Sequence, residues 1–406
     1  MNEIALGSAF VVLLVVALTV ALIVARGSLV PQGAVDVTIN GGKRVEAQRG
    51  DQLLAVLHGA GIGVPAACGG SGTCGLCRVA VHGEGLGDLQ ATEAGILSPA
   101  DRRNHVRLAC QTKLRGSVDV AVAADVLAAE SFPCRVLSNR MLAPLIRELV
   151  LELPEGRDFR FRAGGFAQLT APAYSLEFSA VEVDPAHERA WRVAGWQTLG
   201  AASDKPVTRA YSIASRPGDA GSAVFNIRLA VPPAGRERDI APGVVSSWLF
   251  SRKPGDLVET GGPFGDFHVQ PTQREMIFIG GGVGMAPLRA MIHEQVDLGT
   301  SRKMTYFYGA RTIADLFYVD EFEEIAASHP NFSWTPALSD PAPADRWTGA
   351  RGFIHDVVRK VMATHPAPED CEYYLCGPPV MISAVLATLD RLGVEPHSIF
   401  NDDFGA

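Results

Sequence analysis

Four of the seven cysteines lie close together in the sequence, with a spacing that suits an iron–sulfur cluster. Cys68, Cys74 and Cys77 form the pattern C-x5-C-x2-C, and Cys110 follows after another 32 residues. The first loop is rich in glycine, so its backbone can wrap closely and point N–H groups at sulfur atoms. Thiolates in such a loop are typical ligands of iron–sulfur clusters. The spacing therefore predicts a [2Fe–2S] cluster.

Two other uses of these cysteines are less well supported. Structural zinc sites usually have two close pairs of ligands, and only Cys74 and Cys77 form such a pair. Disulfides are disfavoured on the cytoplasmic side of a membrane, where the charge pattern described below places this segment. The odd number of cysteines also argues against full pairing. The first loop is one residue longer than in plant-type ferredoxins and is similar to that of adrenodoxin-type ferredoxins.

A second group of residues could bind a flavin. Arg209, Tyr211 and Ser212 lie in the sequence Arg-Ala-Tyr-Ser, which is predicted to be a strand. The arginine can pair with a diphosphate, the tyrosine can stack on a flavin ring, and the serine can hydrogen-bond to its edge. The alternative to a flavin site is an ordinary strand with a surface arginine, because a four-residue motif often occurs by chance. The interpretation is strengthened by Gly243 and Ser246, near a predicted helix start that could hold phosphate.

A glycine-rich turn near residue 280 is typical of nucleotide binding. An apolar strand at 276–279 is followed by Gly-Gly-Gly-Val-Gly and then by a predicted helix over 288–296. Such a turn lets backbone N–H groups approach a diphosphate at a helix start. Two further apolar strands end in Tyr-Gly-Ala-Arg at 308–311 and in Cys-Gly-Pro-Pro at 376–379. Strands that alternate with helices predict a parallel sheet, with the ligand at the carboxyl ends of its strands.

Two residues near the end of the chain could either contact a cofactor or only pack within the protein. Cys376 lies at the predicted tip of a strand, where it could touch a nicotinamide ring, but a cysteine is often only a small buried apolar residue. Phe404 is third from the end. Its ring could pack against the protein alone or could cover a flavin ring. The spacing of the sequence leaves both possibilities open.

The elements that must position these groups indicate several domains. The chain has 406 residues, more than one ordinary domain holds, and its net charge of -8 without a basic stripe excludes a dedicated nucleic-acid-binding protein. A predicted hairpin near residues 35–45 is followed by a helix capped by Asp51 and ending near residue 59. Residues 130–270 carry short β-rich stretches, which predict an antiparallel barrel closed by a tight turn at 261–265.

Residues 173–206 interrupt the strand spacing of this barrel. They are rich in Trp, Glu and Pro. They could be a surface insertion or a docking surface for another subunit, because loops of this length are either functional or poorly ordered.

The beginning of the chain predicts a membrane anchor. Residues 4–25 carry no charge, and at about 1.5 Å per residue they form a helix of roughly 33 Å, which can cross a hydrocarbon core of about 30 Å. A cleaved signal peptide is the alternative, but the start carries Glu3 and no lysine or arginine, and the apolar run is long. Arg26, Lys43 and Arg44 follow the segment, so the positive-inside rule places the rest of the chain in the cytoplasm.

The order of these segments resembles a known family. The Arg-x-Tyr-Ser barrel and the domain with the GGGxGxAP, YGAR and CGPP motifs resemble the ferredoxin–NADP⁺ reductase superfamily. The whole chain resembles the F subunits of Na⁺-translocating NADH:quinone oxidoreductases, which are bacterial inner-membrane complexes, and the resemblance covers essentially all 406 residues. It implies a multidomain α+β and α/β protein. Its parts would be a single transmembrane helix (1–28), a β-grasp [2Fe–2S] ferredoxin-like domain (29–128), an antiparallel β-barrel FAD-binding domain (129–270) and a parallel-sheet NADH-binding domain (271–406).

The resemblance also implies roles for particular residues. The cluster ligands would be Cys68, Cys74, Cys77 and Cys110. The FAD contacts would be Arg209, Tyr211, Ser212, Gly243, Ser246 and, over the flavin ring, Phe404. The diphosphate of NADH would lie at Gly281, Gly282 and Gly284, and its nicotinamide near Cys376 and Gly377. The catalytic contacts would come from Cys376, Ser212 and Phe404. No role is implied for Tyr308, Arg311, Cys134 or Cys371.

The same resemblance implies that the chain brings electrons into a respiratory complex. NADH would give a hydride to FAD, single electrons would pass to the [2Fe–2S] cluster, and other membrane subunits would carry them to quinone. One spanning helix without an ionisable residue offers no ion path, so sodium transport would occur in those partners. A reductase component of a multicomponent oxygenase is the alternative, and such components normally lack an anchor. An inactive scaffold is disfavoured by the retained flavin and nicotinamide motifs.

Overall fold

The computed structural model describes residues 10, 12–19, 33–66, 68–123, 126–127, 131–156, 159–219 and 221–402. The chain divides into two compact units. One consists of Met1–Val64 and Cys77–Ala123, and the other of Pro65–Leu76 and Ala124–Ala406.

Only part of the predicted membrane anchor lies within the described residues. Residues 12–19 are helical, with exposed side chains, and the Thr19 hydroxyl donates a hydrogen bond to the carbonyl of Val15 at 2.7 Å. Apart from Phe10, the other positions of the predicted segment lie outside the described residues. Within the described ranges, no helix has the length and hydropathy needed to cross a bilayer.

The first unit contains a five-stranded mixed sheet. Its elements are β1 (Ala34–Ile39), β2 (Lys43–Gln48), α1 (Leu53–Gly59), β3 (Arg78–His82), α2 (Ala91–Ile96), α3 (Pro99–Arg103), β4 (Val106–Leu108) and β5 (Val118–Ala121). The strand order is β2-β1-β5-β3-β4. β1 is antiparallel to β2 and parallel to β5, and β3 is antiparallel to both of its neighbours.

The predicted hairpin at the start of this sheet is confirmed. β1 and β2 are joined by a turn in which Asn40 and Gly41 have φ angles of 47° and 68°. The helix that follows is also present, but the prediction that Asp51 caps it is wrong. Gln52 is at the N-cap, and the carboxylate of Asp51 instead accepts a hydrogen bond from the N–H of Gln48 at 2.8 Å. The side chain therefore stabilises the turn before the helix, where the local hydrogen bond is available.

The second unit contains the predicted antiparallel barrel. Its elements are β6 (Ser131–Ala143), β7 (Ile146–Glu152), β8 (Phe166–Ala171), β9 (Tyr174–Glu177), α4 (Pro185–Ala194), β10 (Gly200–Ser203), β11 (Val207–Ser212), β12 (Ser222–Arg228), α5 (Val244–Phe250) and β13 (Leu257–Phe264). Six strands form an antiparallel sheet in the order β11-β8-β13-β6-β7-β12. A bridge between Ile213 and Phe225 joins its two edges, so the sheet closes into a barrel.

The tight turn predicted at residues 261–265 is wrong. β13 continues through this segment to Phe264 and stays paired with β8, with a shift of register between Gly261 and Phe264. Gly262, at φ 118°, adopts a conformation that side chains disfavour. Glycine here therefore permits an irregular strand rather than a reversal of the chain.

The segment 173–206 is an ordered insertion in the barrel. β9 and β10 pair as a two-stranded sheet, and α4 lies between them in the sequence. Trp191 of α4 is 2% exposed. Its ring stacks on Phe250 of α5 at 6.1 Å between centroids, and its indole N–H donates to the carbonyl of Pro144 at 2.7 Å. One large aromatic side chain therefore fixes the insertion to the barrel.

The predicted parallel sheet is confirmed in the carboxy-terminal half of this unit. Its elements are β14 (Met276–Gly281), α6 (Met285–Asp297), β15 (Met304–Ala310), α7 (Val319–Ser328), β16 (Phe332–Leu338), β17 (Ala350–Arg351), α8 (Ile354–Met362), β18 (Glu372–Cys376), α9 (Pro379–Arg391) and β19 (Ile399–Asp402). The strand order is β17-β16-β15-β14-β18-β19, with all neighbours parallel. Phe278 packs in one apolar layer and Ile277 in another, so both faces of the sheet are covered.

Candidate functional site

Cys68 and Cys74 lie at the two ends of the glycine-rich loop. Their sulfur atoms are 3.3 Å apart. Gly69, Gly70 and Gly72 between them all have φ in the left-handed region, at 64°, 94° and 81°, so side chains would strain the loop that brings the thiols together. The hydrogen bond from the Cys74 thiol to Cys68, together with burial, raises the pKa of Cys74. Two thiols held this close are suited to a shared metal ligand set.

Cys77 and Cys110 lie in the first compact unit and are both buried. The carbonyl of Cys77 accepts a hydrogen bond from the N–H of Ala109 at 2.8 Å, which ties together the two segments that carry them. The side-chain amide of Gln111 donates to the sulfur of Cys110 at 3.6 Å. Amide donors to sulfur are a common feature around iron–sulfur clusters. Two buried thiols with an amide donor beside one of them are therefore chemically suited to bind such a cluster.

The Arg-Ala-Tyr-Ser motif lies on β11, as predicted. Alternate residues of a strand face opposite sides, so Arg209 and Tyr211 share one face while Ser212 lies on the other. Ser212 is 7% exposed, and its hydroxyl oxygen has no hydrogen-bond partner within the described parts of the chain. Burial raises the pKa of Tyr211, so this ring stays neutral and can offer a stacking face. An unpaired buried hydroxyl is costly in a protein alone, and it fits a site completed by a bound group.

The side chain of Arg209 contacts the loop between Cys68 and Cys74. Its guanidinium donates to the carbonyl of Thr208 at 2.8 Å and lies so close to Gly69 that a Cβ built on this glycine would overlap it. Gly69 and Arg209 belong to the same compact unit. The arginine predicted to pair with a diphosphate therefore also packs on the glycine-rich loop.

Gly243 and Ser246 lie at the start of α5, as predicted. Gly243 is the N-cap residue, and the Ser246 hydroxyl donates to its carbonyl at 3.2 Å and accepts from the N–H of Ala230 at 3.3 Å. A Cβ on Gly243 would lie only 2.6 Å from the Ser246 oxygen. This serine is thus held by the backbone around it, and the close approach requires glycine at position 243.

Sequence reasoning missed two residues at this helix. Ser247 is fully buried, and no described residue bonds to its hydroxyl oxygen. Tyr174, from the insertion, donates its hydroxyl hydrogen to the carbonyl of Val244 at the start of α5. Ser247 could have been noticed as the neighbour of Ser246. Nothing in the sequence signals the contact of Tyr174, because 70 residues separate it from its partner.

The glycine-rich turn after β14 is packed against the end of β18. A Cβ on Gly284 would overlap the carbonyl oxygen of Cys376, and one on Gly377 would lie 3.0 Å from the carbonyl oxygen of Gly281. Gly282 has a φ of 57° and faces open space. The four glycines therefore let two backbone segments meet at the carboxyl ends of neighbouring strands, which is where α/β sheets bind nucleotides.

Cys376 ends β18, opposite Gly280 of β14. It is 1% exposed and belongs to the apolar layer that contains Phe278. Its place at the carboxyl edge of the sheet agrees with the predicted position at a strand tip. Phe404, the other predicted contact to a reacting ring, lies outside the described residues.

Two side chains without a predicted role now have clear contacts. The buried Tyr308 donates its hydroxyl hydrogen to the carbonyl of Gly282 at 3.0 Å, so it holds the glycine-rich turn from β15. Arg311 forms an exposed ion pair with Asp340 at 3.2 Å.

A polar network joins the barrel to the nucleotide-binding sheet. Arg289 of α6 binds both carboxylate oxygens of Glu321 on α7, at 2.7 and 3.0 Å. It also donates to the carbonyl of Ala214, two residues after Ser212, at 2.6 Å. Burial by itself would raise the pKa of Glu321, but hydrogen bonds from His293 and Arg289 outweigh it and lower the pKa to about 2. The charged, bidentate pair therefore orients Arg289, and the bond from Arg289 to Ala214 holds the segment just after the flavin-motif strand next to α6.

Three family models match successive parts of the chain. They are a 2Fe-2S iron-sulfur cluster binding domain over residues 37–115, an oxidoreductase FAD-binding domain over residues 196–269 and an oxidoreductase NAD-binding domain over residues 278–386. The three matches contain all of the predicted site residues except Phe404. The chain therefore combines an iron–sulfur domain with FAD- and NAD-binding domains of the ferredoxin–NADP⁺ reductase type.

Solved structures of reductases share this architecture. A cytochrome P450 reductase from Amycolatopsis is 27% identical, covers 91% of this chain and 98% of its own, and superimposes with a TM-score of 0.62. A ferredoxin reductase of carbazole 1,9a-dioxygenase covers 92% of this chain and 99% of its own at 24% identity, with a TM-score of 0.59. This second likeness shows the fold alone.

Curated relatives match the chain from end to end. The protein from Methylococcus capsulatus is 44% identical over 407 residues and covers 100% of both chains. That from Neisseria meningitidis is 42% identical over 406 residues, with 99% of this chain and 100% of its own covered. Both are named as the F subunits of a Na(+)-translocating NADH-quinone reductase. At this identity and coverage, the chain belongs to the family of the F subunits of Na⁺-translocating NADH-quinone reductases.

Proposed function

We propose that this chain is the electron-input subunit of a sodium-pumping NADH:quinone oxidoreductase. It would oxidise NADH and pass the electrons to partner subunits, which finally reduce quinone. The observation that carries the proposal is the contact between Arg289 and Ala214, since it places the flavin-motif strand and the helix after the glycine-rich turn side by side in one compact unit. Two nucleotide sites held together in this way are suited to direct transfer between their ligands.

FAD would be held by Arg209, Tyr211, Ser212, Gly243 and Ser246. When bound, FAD would accept two electrons as a hydride and release them one at a time. The buried, unpaired hydroxyl of Ser212 supports the assignment, because a ligand hydrogen bond would remove its cost. Arg209 would contribute charge to the diphosphate, and the neutral ring of Tyr211 would orient the flavin by stacking.

NADH would bind at the carboxyl edge of the parallel sheet. Gly281, Gly282 and Gly284 would let the backbone approach its diphosphate, and Cys376 and Gly377 would lie near the nicotinamide. The close packing of Gly284 on Cys376 supports this, because the turn and the strand tip then form one rigid surface. Phe404 would cover the flavin ring from the end of the chain and give way to the nicotinamide.

The cysteines would complete the path for electrons. Cys68, Cys74, Cys77 and Cys110 would bind a [2Fe–2S] cluster, which carries one electron at a time. The left-handed glycines of the first loop and the short distance between two of its sulfur atoms support the assignment.

The chain would be held in the bacterial inner membrane by residues 1–28, with the rest in the cytoplasm. Its domains would then be the ferredoxin-like domain (29–128), the FAD-binding barrel (129–270) and the NADH-binding domain (271–406). The uncharged segment 4–25 and the cations after it support this orientation. The other membrane subunits of the complex would be the partners of the chain.

The decisive experiment measures NADH oxidation in native membranes. Membranes with and without this chain are compared at low and high Na⁺, and the chain is then restored. We expect Na⁺-stimulated oxidation to be lost without the chain and to return with it, whereas unchanged activity would contradict the proposal.

A fragment of residues 29–406, prepared without oxygen, should be yellow-brown and should reduce ferricyanide with NADH. A colourless fragment would exclude the proposed cofactors, and sodium-independent oxidation would favour an oxygenase reductase.

A further inference from the structure

Three side chains with metal-binding atoms meet at the other end of the parallel sheet, away from the glycine-rich turn. Glu275 directly precedes β14, Cys371 directly precedes β18, and His365 lies in the loop after α8. Their ligand atoms all lie within 4.8 Å of one another. β14 and β18 are neighbouring parallel strands, so their amino ends place Glu275 and Cys371 side by side. No role in electron transfer has been assigned to any of the three.

The three side chains are close to one another and mostly buried. Nε2 of His365 lies 3.1 Å from the Oε2 oxygen of Glu275. The side chains of His365 and Glu275 are 15% and 17% exposed, while Cys371 is 1% exposed. An ion could therefore reach the imidazole and the carboxylate from solvent, and the thiol would close the site from inside the protein.

We propose that Glu275, His365 and Cys371 form a binding site for a divalent metal ion of the zinc class. Carboxylate, imidazole and thiolate are the three ligand types that Zn²⁺ takes from proteins. One thiolate and one carboxylate balance the two charges of the ion, so the partly buried site becomes neutral. Mg²⁺ and Ca²⁺ require oxygen ligands and would not use the thiol. Three protein ligands leave a fourth position for water.

Binding requires small changes in the present contacts. Lys303 pairs with the other oxygen of Glu275 at 3.0 Å, and its side chain is 59% exposed, so the lysine can turn to water while Oε2 binds the ion. The Cys371 thiol, whose hydrogen bond to the carbonyl of Ala367 is long at 3.7 Å, releases its proton to solvent. Nδ1 of His365 accepts a 3.3 Å hydrogen bond from the N–H of Ala367. When Nε2 binds the ion, the imidazole proton moves to Nδ1 and this weak bond is lost.

The site is separate from the proposed electron path. Cys371 directly precedes β18 and Cys376 is its last residue, and five residues of strand span about 16 Å. An ion here would join the loop after α8 to the amino ends of β14 and β18, which are neighbouring strands. Metal binding and NADH oxidation can therefore be measured independently.

The test uses the full chain with its cluster and FAD in place, prepared without oxygen and freed of loosely bound metal by dialysis. It is then dialysed against Zn²⁺ or Cd²⁺, and its metal content is measured by elemental analysis. We expect one added ion per chain with unchanged iron content, and a cadmium NMR resonance typical of a site with one thiolate. No retained ion would overturn the proposal. Uptake that displaces iron would also overturn it, because the cluster cysteines would then be the binding site.

Matched variants locate the ion. Cys371→Ser should abolish the thiolate signature, and His365→Gln should weaken binding by more than about tenfold, since even outer-shell changes at metal sites cost about 10–100-fold. Cys134→Ser replaces another fully buried cysteine, and His329→Gln another histidine on the same domain; both should bind the ion like the parent. Because His365 is partly exposed, its variant tests the site even if Cys371→Ser fails to fold. Equal binding by His365→Gln and the parent would refute the proposal.

Discussion

The hydroxyl of Tyr318 donates a hydrogen bond to the carboxylate of Glu148, and this bond joins the start of α7 to barrel strand β7. The same hydroxyl accepts a hydrogen bond from the side-chain amide of Asn226 at 2.9 Å. The guanidinium of Arg289 lies over the tyrosine ring, 4.6 Å from its centre. Tyr318 therefore lies where the flavin barrel and the nucleotide-binding sheet meet.

This junction predicts an energetic coupling between Tyr318 and Glu148. In a double-mutant cycle with Tyr318→Phe and Glu148→Gln, we expect a coupling of about 1.5 kcal/mol in the free energy of unfolding, since the bond is to a charged group. Denaturant unfolding of the four proteins measures it. Glu152→Gln, an exposed position on the same strand, should show no coupling to Tyr318→Phe. A coupling as large for Glu152 would show that the effect does not come from the bond.

Ser212→Ala should act in opposite directions on the protein with and without FAD. The protein without FAD should be as stable as the parent or slightly more stable, because an unpaired buried hydroxyl is removed. FAD binding should weaken about tenfold, the value of one hydrogen bond of roughly 1.4 kcal/mol. Flavin fluorescence titration and thermal unfolding measure the two effects. Ser215→Ala is the control, since the Ser215 hydroxyl already accepts a bond from Val224 at 3.2 Å; it should lower the stability of the protein without FAD. Unchanged FAD affinity in Ser212→Ala would remove this residue from the site.

Gly284→Ala should damage the NADH site without removing FAD. The new methyl group would overlap the carbonyl oxygen of Cys376, so the turn must move, and overpacking typically costs about 1–3 kcal/mol. We expect NADH binding and the rate of flavin reduction to fall while the flavin content stays the same. Stopped-flow absorbance follows the reduction. Gly218→Ala, where a Cβ would meet open space, should behave like the parent, and normal NADH binding by Gly284→Ala would contradict the packing described here.

The lowered pKa of Glu321 predicts that the protein loses stability at acid pH. Its pKa of about 2 in the folded protein lies below the ordinary value of 4.5, so its stabilising contribution is complete above about pH 4.5 and is lost as the pH falls toward 2. The shift corresponds to roughly 3 kcal/mol. The difference in unfolding free energy between the parent and Glu321→Gln should therefore shrink as the pH is lowered from 6 to 3.

The control for this pH dependence is Glu323→Gln, an exposed glutamate on the same helix. Its difference from the parent should stay nearly constant over the same range. A constant difference for Glu321→Gln as well would show that its carboxylate is not stabilised by Arg289 and His293.

Cys68→Ala should remove the [2Fe–2S] cluster but leave the reduction of FAD by NADH intact. Loss of one ligand should remove the EPR signal of the reduced [2Fe–2S] cluster. Flavin reduction by NADH should survive, because the FAD and NADH contacts lie on β11, α5 and the parallel sheet. Cys134→Ala, which changes a buried cysteine of the barrel, should keep both signals. Loss of both signals in Cys68→Ala would indicate misfolding rather than a missing ligand.

The sequence predicted most of the elements that carry the site. The strand–turn–helix at β14 and α6 and the end of β18 at Cys376 are confirmed, because continuous apolar runs followed by glycine have few alternative structures. The failures at Asp51 and at residues 261–265 were local. Asp51 does accept a backbone hydrogen bond, but from Gln48 in the turn before the helix rather than from the helix itself. The glycines at 261–265 do permit an unusual backbone, but it is an irregularity within a paired strand rather than a turn.

The contacts between distant segments could not be predicted in this way. Glu148 and Tyr318 are 170 residues apart, and Arg289 and Ala214 are 75 apart. No periodic pattern or turn signal connects such residues, since their contact depends on how the barrel and the sheet pack. The unpaired hydroxyl of Ser212 could not be predicted from the sequence either, because its burial and its lack of a partner among the described residues depend on the folded structure.

The contact between Gly69 and Arg209 restricts how this protein could be re-engineered. Exchanging glycine-rich loops between proteins is a natural way to change an electron acceptor, and such exchanges usually preserve only the cysteines. Here a loop with any other residue at position 69 would push the guanidinium away from its place on β11. A hybrid chain that keeps all four cysteines but loses this glycine should thus show a defect in flavin retention, although none of the exchanged residues is a predicted flavin contact.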